Sequence, residues 1–345
     1  MGFDFETALR NTSLCYEPCD AVKFCYQAAY GAEHMIGDNA AVYFNKEYES
    51  VTAGDGMLTE QLSEEYFRIN LAVWKNKALP SEWLFNMFYL SATKAEKGDV
   101  KPFIEAAKKL ATRGELPFDE KRLDEYLLGY DGGAVHHSEV CRKKKSPAYR
   151  VVHKRYVRMI SLLEAFSKCQ VMAIDGRAAA GKSTLASDMA EITGASVIHM
   201  DDFFLPPQLR TQERLSKPGG NIDYERFAKE VLPYLEQGKE FSYNKFDCAK
   251  MALGEKVRVK EARHYIVEGS YSHHPYFNNY ADLLVFCDVS PYLQLFRIEN
   301  RNGRQMIKEF AEKWIPMEEG YFKAFSIKEK ADIRVCSLRD YSILA

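Results

Sequence analysis

The sequence predicts an α/β protein with a parallel sheet, covered by helices on both faces, in the second half of the chain and a mainly helical first half. In the second half, short apolar runs alternate with segments of helical periodicity, as in sheets whose parallel strands are buried. A glycine-containing motif of the phosphate-binding type follows the first of these runs. In the first half, apolar residues recur at three-and-four spacing, which predicts helices over residues 60–72, 81–95, 102–110 and 118–128.

A basic stretch marks the division of the chain. Residues 141–150 combine a run of Arg and Lys with Pro147, which is typical of an exposed connection between domains. We therefore predict a mainly helical domain over residues 1–150 and a sheet domain over residues 151–345. An amphipathic helix is expected over residues 156–166, leading into the first strand.

The composition argues against several classes of partner. With 345 residues and 46% hydrophobic content, the chain is long enough for two domains with full cores. A formal net charge of −2 gives no electrostatic reason to expect nucleic acid or a membrane surface as a partner. No apolar stretch approaches the length of a membrane span, and the first residues are acidic where a signal peptide would be basic. We expect a cytoplasmic protein and leave homo-oligomerisation open.

The strands of the predicted sheet point to where a site would lie. They are expected over residues 171–175, 196–200, 264–267, 283–288 and 332–335. Open parallel sheets bind ligands beyond the carboxyl ends of their strands. The side chains that follow each strand are therefore the candidates for function.

The loop after the first strand fits the pattern G-x-x-x-x-G-K-[ST] at every fixed position. Such a loop turns its backbone N–H groups toward a polyphosphate, and the N-terminus of the next helix adds partial positive charge. Lys182 would reach the β- and γ-phosphates of ATP, and the Ser183 hydroxyl would bind Mg²⁺. The residues predicted to contact the nucleotide are Gly176, Arg177, Ala178, Ala179, Ala180, Gly181, Lys182, Ser183 and Thr184.

Acidic residues follow the second and third strands. Asp201 and Asp202 end one strand and Glu268 ends the other, where carboxylates would face a γ-phosphate held by the loop. There they can bind Mg²⁺ or take a proton from an attacking hydroxyl. Asp201 or Asp202 would alternatively cap the following turn. The pattern favours a site role for Asp201 more than for Asp202 or Glu268. Ser183, Asp201 and Glu268 are the candidate metal ligands, and the pattern leaves open which carboxylate is the base and which binds the metal.

The order of these motifs resembles the uridine kinase and phosphoribulokinase family of P-loop kinases. The resemblance covers roughly residues 168–340 and rests on residues 174–184, 200–204, 266–269, 297–304 and 331–333. It implies that Asp201 is the catalytic base and that Glu268 helps to hold the metal.

The resemblance also implies a lid helix whose arginines close over the phosphates. In this chain they would be Arg297, Arg301 and Arg304. Arg297 and Arg301 are four residues apart and share a helical face. Guanidinium groups held there stabilise the charge of the transferred phosphoryl group, so we predict catalytic roles for Lys182, Arg297 and Arg301 beside Asp201.

The phosphoryl acceptor is the open part of the prediction. Asp202, Asp223, Tyr243, Asp247 and Glu268 are the candidates for binding it, through sugar hydroxyls or stacking on a base. The resemblance implies transfer from ATP to a hydroxyl of a small molecule, in the manner of a nucleoside kinase. Kinases of pantothenate, glycerate or sugars share the same loop, and pocket shape rather than the loop selects the acceptor.

A nucleotide-responsive binding or regulatory protein is the alternative hypothesis. In that case ATP in the second half would alter the first half, and no acceptor would be phosphorylated. The first half itself is predicted to be a regulatory, substrate-binding or oligomerisation module, or a second enzyme.

Overall fold

The computed structural model describes residues 2–32, 37–94, 98–338 and 340–344. They form two compact units, Met1–Val157 and Arg158–Ala345. The division lies after Val157 rather than after residue 150, because the strand Tyr149–His153 pairs with a strand of the first unit.

The first unit combines helices with a small antiparallel sheet. Its helices are α1 (Phe5–Asn11), α2 (Pro18–Tyr30), α3 (Ala40–Ser50), α4 (Leu71–Asn76), α5 (Ser81–Thr93), α6 (Lys101–Thr112), α7 (Glu120–Leu127), α8 (Glu139–Lys145) and α9 (Lys154–Val157). Its strands are β1 (Thr59–Gln61), β2 (Tyr66–Asn70) and β3 (Tyr149–His153), in the order β1-β2-β3. The helices α5, α6 and α7 confirm the predictions over residues 81–95, 102–110 and 118–128.

The helix predicted over residues 60–72 is wrong. This segment holds β1, a turn and β2, and α4 begins only at Leu71. β2 is the middle strand of the sheet, and its Ile69 is fully buried. Asn70 ends the strand, because its side chain accepts a hydrogen bond from the N–H of Ala72 and caps α4.

The basic run over residues 142–145 is exposed, as expected, but residues 141–150 are not the connection between the two units. The basic run forms the end of α8, and β3 begins four residues later at Tyr149. Arg150 is buried, pairs with Glu47 at 2.7 Å, and lies over the rings of Phe44 and Phe88. Arg150, which lies in β3 beyond this run, therefore packs into the core of the first unit.

The second unit is built around one large sheet. Its strands are β4 (Val171–Gly176), β5 (Ser196–His199), β6 (Phe241–Asp247), β7 (Ala252–Val259), β8 (Tyr265–Glu268), β9 (Leu283–Asp288), β10 (Ile333–Leu338) and β11 (Asp340–Leu344). Its helices are α10 (Ile160–Phe166), α11 (Lys182–Thr193), α12 (Gln212–Leu215), α13 (Tyr224–Glu230), α14 (Leu232–Gln237), α15 (Pro291–Asn302), α16 (Arg304–Glu309), α17 (Ile315–Phe325) and α18 (Ile327–Lys330). Across the described parts of the chain, no helix is both long and apolar enough to span a bilayer.

The large sheet has the strand order β11-β10-β9-β4-β8-β5. Five of these described strands are parallel, and β11 runs antiparallel to β10. They correspond to the five predicted strands, so the α/β fold with a parallel sheet flanked by helices is confirmed. The helix expected over residues 156–166 begins only at Ile160, and the hairpin β6–β7 was not predicted.

The central strand β4 leads into the predicted site. Every one of its residues is buried. Asp175, near its end, accepts hydrogen bonds from the N–H groups of Tyr271 and His273 and from the Tyr321 hydroxyl. These contacts fix the end of β4 to the segment after β8 and to α17, and they give the following loop a rigid base.

Candidate functional site

The loop between β4 and α11 has a backbone that few residue types can adopt. Gly176 has φ 134°, and a Cβ placed there would lie 2.1 Å from the carbonyl oxygen of Cys287. Gly181 has φ 90° at the N-cap of α11. Ala179 also has a positive φ of 58°, a conformation that non-glycine residues rarely adopt and that concentrates at functional sites. The two glycines of the motif are therefore required by the loop itself.

The Lys182 ammonium group is folded back onto this loop. It donates hydrogen bonds to the carbonyl oxygens of Gly176 at 2.7 Å and Arg177 at 3.0 Å, and to the Ser270 hydroxyl at 3.2 Å. All three of its protons have an acceptor in this arrangement. The group must leave some of these acceptors to reach a phosphate.

The Arg177 side chain anchors the loop from outside the site. It donates to Glu319 Oε1 at 2.6 Å and to Asp288 Oδ1 at 2.9 Å. Burial acts to raise the pKa of Asp288, but Lys328 and Arg177 hold it below its ordinary value. The backbone of Arg177 therefore belongs to the predicted phosphate site, whereas its side chain stabilises the loop through ion pairs with Glu319 and Asp288.

Ser183 and Glu268 meet at the start of α11. The Ser183 hydroxyl donates to Glu268 Oε2 at 3.1 Å, and His199 Nδ1 lies 2.5 Å from Glu268 Oε1. The hydrogen bond with Glu268 raises the pKa of His199. A hydroxyl and a carboxylate together are oxygen donors of the kind that Mg²⁺ prefers. The sequence analysis missed His199, although it ends β5 two residues before Asp201.

Asp201 faces the same space from a short 3₁₀ helix, Met200–Phe203, that follows β5. Its carboxylate is accessible to solvent, but the surrounding protein removes part of its hydration and raises its pKa. The positive charge of Lys182 opposes this rise, while Glu268 adds to it. Asp201 is therefore closer to the protonation range of a general base than an ordinary surface aspartate.

A single cleft of about 910 Å³ joins these groups. It is lined by the loop residues Ala178, Ala179, Gly181, Lys182, Ser183 and Thr184, and by Asp201, Glu268, Arg297 and Arg301. A volume of this size suits a nucleotide-sized ligand. The structure thus brings together most of the residues predicted for nucleotide, metal and catalysis.

The three predicted lid arginines are placed differently. Arg297 lines the cleft and donates to the Ala179 carbonyl oxygen at 3.1 Å. Arg301 lines the cleft and donates to Asn302 Oδ1 at 2.8 Å. Arg304 begins the next helix, is almost fully exposed and lies 3.5 Å from Glu299. Only the first two therefore face the predicted phosphate position.

Four of the five predicted acceptor contacts have structural partners instead. Asp202 Oδ2 accepts from the Tyr243 hydroxyl at 2.8 Å, Asp223 caps α13, and Asp247 caps the turn between β6 and β7. None of these four is among the described residues that line the cleft, whereas Glu268 is. Their role in binding an acceptor stays a prediction. The sequence analysis missed the other lining residues near Asp201, namely Phe204, Asn221, Cys248 and Tyr271.

Comparisons with known proteins give structural similarities for about half of the chain. No protein-family model matches the chain, and no curated protein sequence matches it significantly. A "possible uridine kinase" from Bacillus stearothermophilus is similar in structure, with 20% identity and a TM-score of 0.36 over 48% of this chain and 87% of that one. A "putative fructose transport system kinase" from Silicibacter sp. is similar with 21% identity and a TM-score of 0.36, over 48% and 88% of the two chains.

Proposed function

We propose that the second unit is an ATP-dependent kinase that transfers the γ-phosphoryl group to a hydroxyl of a small molecule, in the manner of a nucleoside kinase. One observation carries the proposal: a single cleft is lined by the phosphate loop, by two carboxylates on adjacent strand ends and by two arginines. Each group has a use in phosphoryl transfer, which depends on positioning and on charge stabilisation.

The loop and α11 hold the triphosphate in this proposal. The backbone N–H groups of residues 178–183 and the helix N-terminus attract the phosphates, and Lys182 turns from Gly176 toward them. Ser183 and Glu268 would supply oxygen ligands for Mg²⁺, and the contact between them supports that assignment. When bound, the ion neutralises charge on the β- and γ-phosphates.

Asp201 acts as the base. It accepts the proton of the acceptor hydroxyl as the new oxygen–phosphorus bond forms, and the bond to the β-phosphate oxygen breaks with ADP as the leaving group. Arg297 and Arg301, which also line the cleft, stabilise the charge on the transferred group. Burial raises the pKa of Asp201, which is the direction that favours proton acceptance by a carboxylate.

The acceptor is proposed to lie between Asp201 and Asn221. Asn221 Oδ1 is buried and has no hydrogen-bond partner among the described residues, and Asn221 lines the cleft. A buried polar atom of this kind is costly unless a ligand pairs with it, and the other end of the Asn221 amide contacts Tyr271. A second hydroxyl on the acceptor can donate to the amide oxygen or accept from the amide nitrogen, so it fits either orientation of the amide, and nucleosides are the first candidates.

A screen of ATP consumption tests the proposal. The full chain is incubated with Mg·ATP and, separately, with nucleosides, pantothenate, glycerate and sugars, and the phosphorylated product is identified by mass. Lys182→Ala is run in parallel to exclude contaminating kinases. Turnover that depends on one acceptor and disappears in the variant supports the kinase. Mg·ATP binding with no acceptor-dependent turnover across the screen would favour the nucleotide-responsive regulator.

A further inference from the structure

A carboxylate of the protein already occupies one donor of the phosphate loop. Glu318 Oε2 accepts a hydrogen bond from the Ala178 N–H at 3.0 Å, and Glu318 Oε1 accepts from the Ser270 hydroxyl at 2.7 Å. Ser270 in turn accepts from the Lys182 ammonium group at 3.2 Å. Glu318 is buried and lines the cleft. A negative charge is thus held at the site where a polyphosphate is expected.

The Glu318 carboxylate lies in a buried environment close to the Lys182 ammonium group. Burial raises the pKa of Glu318, and the positive charge of Lys182 opposes the rise. The neighbouring Glu319 differs, because it pairs with Arg177 on the outside of the loop. Glu318 therefore lies close enough to Lys182 for their opposite charges to interact, and the Ser270 hydroxyl links the two groups.

The helix that carries Glu318 is shaped to present it to the cleft. Residues 304–325 run through α16, a π-helical turn over Phe310–Trp314 and α17. Met306, Phe310, Trp314 and Glu318, at intervals of four, all line the cleft. In a regular α-helix such residues drift around the axis by about 40° per step. The wider π turn offsets that drift, and π turns often occur at functional sites.

We propose that Glu318 is a resident anion of the phosphate loop, which nucleotide phosphates must displace or neutralise, so that this contact lowers the affinity for nucleotide. The inference rests on the proposed nucleotide site but not on transfer to an acceptor. Two consequences of binding follow from the contacts. The phosphates take over the Ala178 N–H or repel the carboxylate beside it, and Lys182 exchanges Ser270 for phosphate oxygen.

Binding measurements on charge-neutral variants test this proposal. Calorimetry with Mg·ATP and with inorganic tripolyphosphate is carried out on the full chain and on Glu318→Gln, which keeps the shape and removes the charge. Glu318→Ala is a second variant, and Glu312→Gln is the control, because Glu312 is exposed on the same continuous helix. Thermal unfolding confirms that each variant is folded.

The proposal is decided by whether the Glu318 variants bind Mg·ATP and tripolyphosphate more tightly or more weakly than the unaltered chain. Both Glu318 variants are expected to bind Mg·ATP and tripolyphosphate about tenfold more tightly, the scale of one close charge interaction, and Glu312→Gln to bind as the unaltered chain does. Unchanged or weaker binding by folded Glu318 variants would mean that the carboxylate only supports the loop, and the proposal would be overturned. Tighter binding without acceptor-dependent turnover would remove the kinase but keep the resident anion. Failure of every variant to bind either ligand would overturn both.

Discussion

The Ser183 hydroxyl donates a 3.1 Å hydrogen bond to the Glu268 carboxylate, which joins the start of α11 to the end of β8. The two groups come from segments 85 residues apart in the chain. Their meeting places a hydroxyl and a carboxylate beside the phosphate loop, and His199 holds the second oxygen of Glu268. We therefore expect Mg²⁺ binding to depend on Glu268.

Glu268→Gln is expected to weaken the response to Mg²⁺. Replacing the carboxylate removes a charged oxygen ligand and leaves His199 without its anionic partner, so Mg²⁺ affinity or turnover falls about tenfold or more, since even outer-shell partners of a metal contribute about that much. Titration of ATP turnover with Mg²⁺ measures the change. Glu261→Gln is the control, since Glu261 is exposed and precedes the other end of β8. An unaltered Mg²⁺ requirement in Glu268→Gln would remove this residue from the metal site.

Asp201→Asn is expected to retain nucleotide binding and to lose transfer. Loss of a general base lowers kcat about 10²- to 10⁴-fold. Asp202→Asn is the matched variant, because Asp202 is directed to the Tyr243 hydroxyl rather than to the cleft. Single-turnover rates and Mg·ATP affinity are measured for both. Equal losses of kcat in the two variants would contradict the assignment of Asp201 as the base.

Turnover is expected to fall at acid pH as Asp201 becomes protonated. A base must be unprotonated, and because the pKa of Asp201 is raised, the fall of kcat/KM at acid pH should begin above the ordinary value of 3.8. His199 has a pKa raised above 6.5, so a limb that it controls would lie higher. Profiles of kcat/KM against pH, measured for the unaltered chain and for His199→Asn, distinguish the titration of Asp201 from that of His199. An acid limb that disappears in His199→Asn would assign it to the histidine.

Arg297→Ala and Arg301→Ala are expected to slow transfer more than they weaken ATP binding. Both side chains line the cleft, and arginines that meet the transferred phosphoryl group act mainly in the transition state. A fall in kcat of about 10²-fold or more is expected, with little change in the affinity for Mg·ATP. Arg304→Ala is the control, because that side chain is exposed and lies outside the lining of the cleft. Weaker binding of Mg·ATP with an unaltered kcat would mean that the two arginines contact bound ATP without helping transfer, and it would contradict the prediction.

The parallel sheet could be predicted from the sequence because its strands are locally encoded. A strand buried on both faces, such as Val171–Gly176, is a short apolar run, and the loop after it carries fixed glycines. Residues 60–72 show the opposite case. Their apolar spacing fits a helix, but β2 exists because it pairs with β3, more than seventy residues along the chain. Such non-local pairing leaves no signal within the segment.

The site was predictable where a motif specifies a backbone shape, and less so where single side chains converge. Glycines and Lys182 have a fixed spacing that the loop requires. Glu318 reaches Ala178 from 140 residues away, and Asn221 enters the cleft from a long connection after β5. Asp223 has the local environment of a helix cap, which a sequence pattern does not distinguish from a binding residue.

The stability of the first unit is expected to depend on Asp20. Its fully buried carboxylate accepts hydrogen bonds from the N–H groups of Tyr16, Glu17 and Ser138, from the Ser138 hydroxyl and from His137. It therefore ties the start of α2 to the start of α8. Burial acts to raise the pKa of Asp20, but the hydrogen bonds from His137 and Ser138 outweigh it and lower the value to about 2.

Asp20→Ala should lower the free energy of unfolding by about 3 kcal/mol or more, since it leaves several buried donors without an acceptor. Hydrogen exchange of amides in α2 and α8 measures the loss, and Asp119→Ala, an exposed helix cap, should cost only about 1 kcal/mol. Because the folded pKa is lowered, this stabilisation is present above the ordinary value of 3.8 and is lost as pH falls toward about 2. The difference between the unaltered chain and Asp20→Asn should therefore shrink over that window. A difference independent of pH, or a loss no larger than that of Asp119→Ala, would show that the ionised carboxylate is not what holds the two helices together.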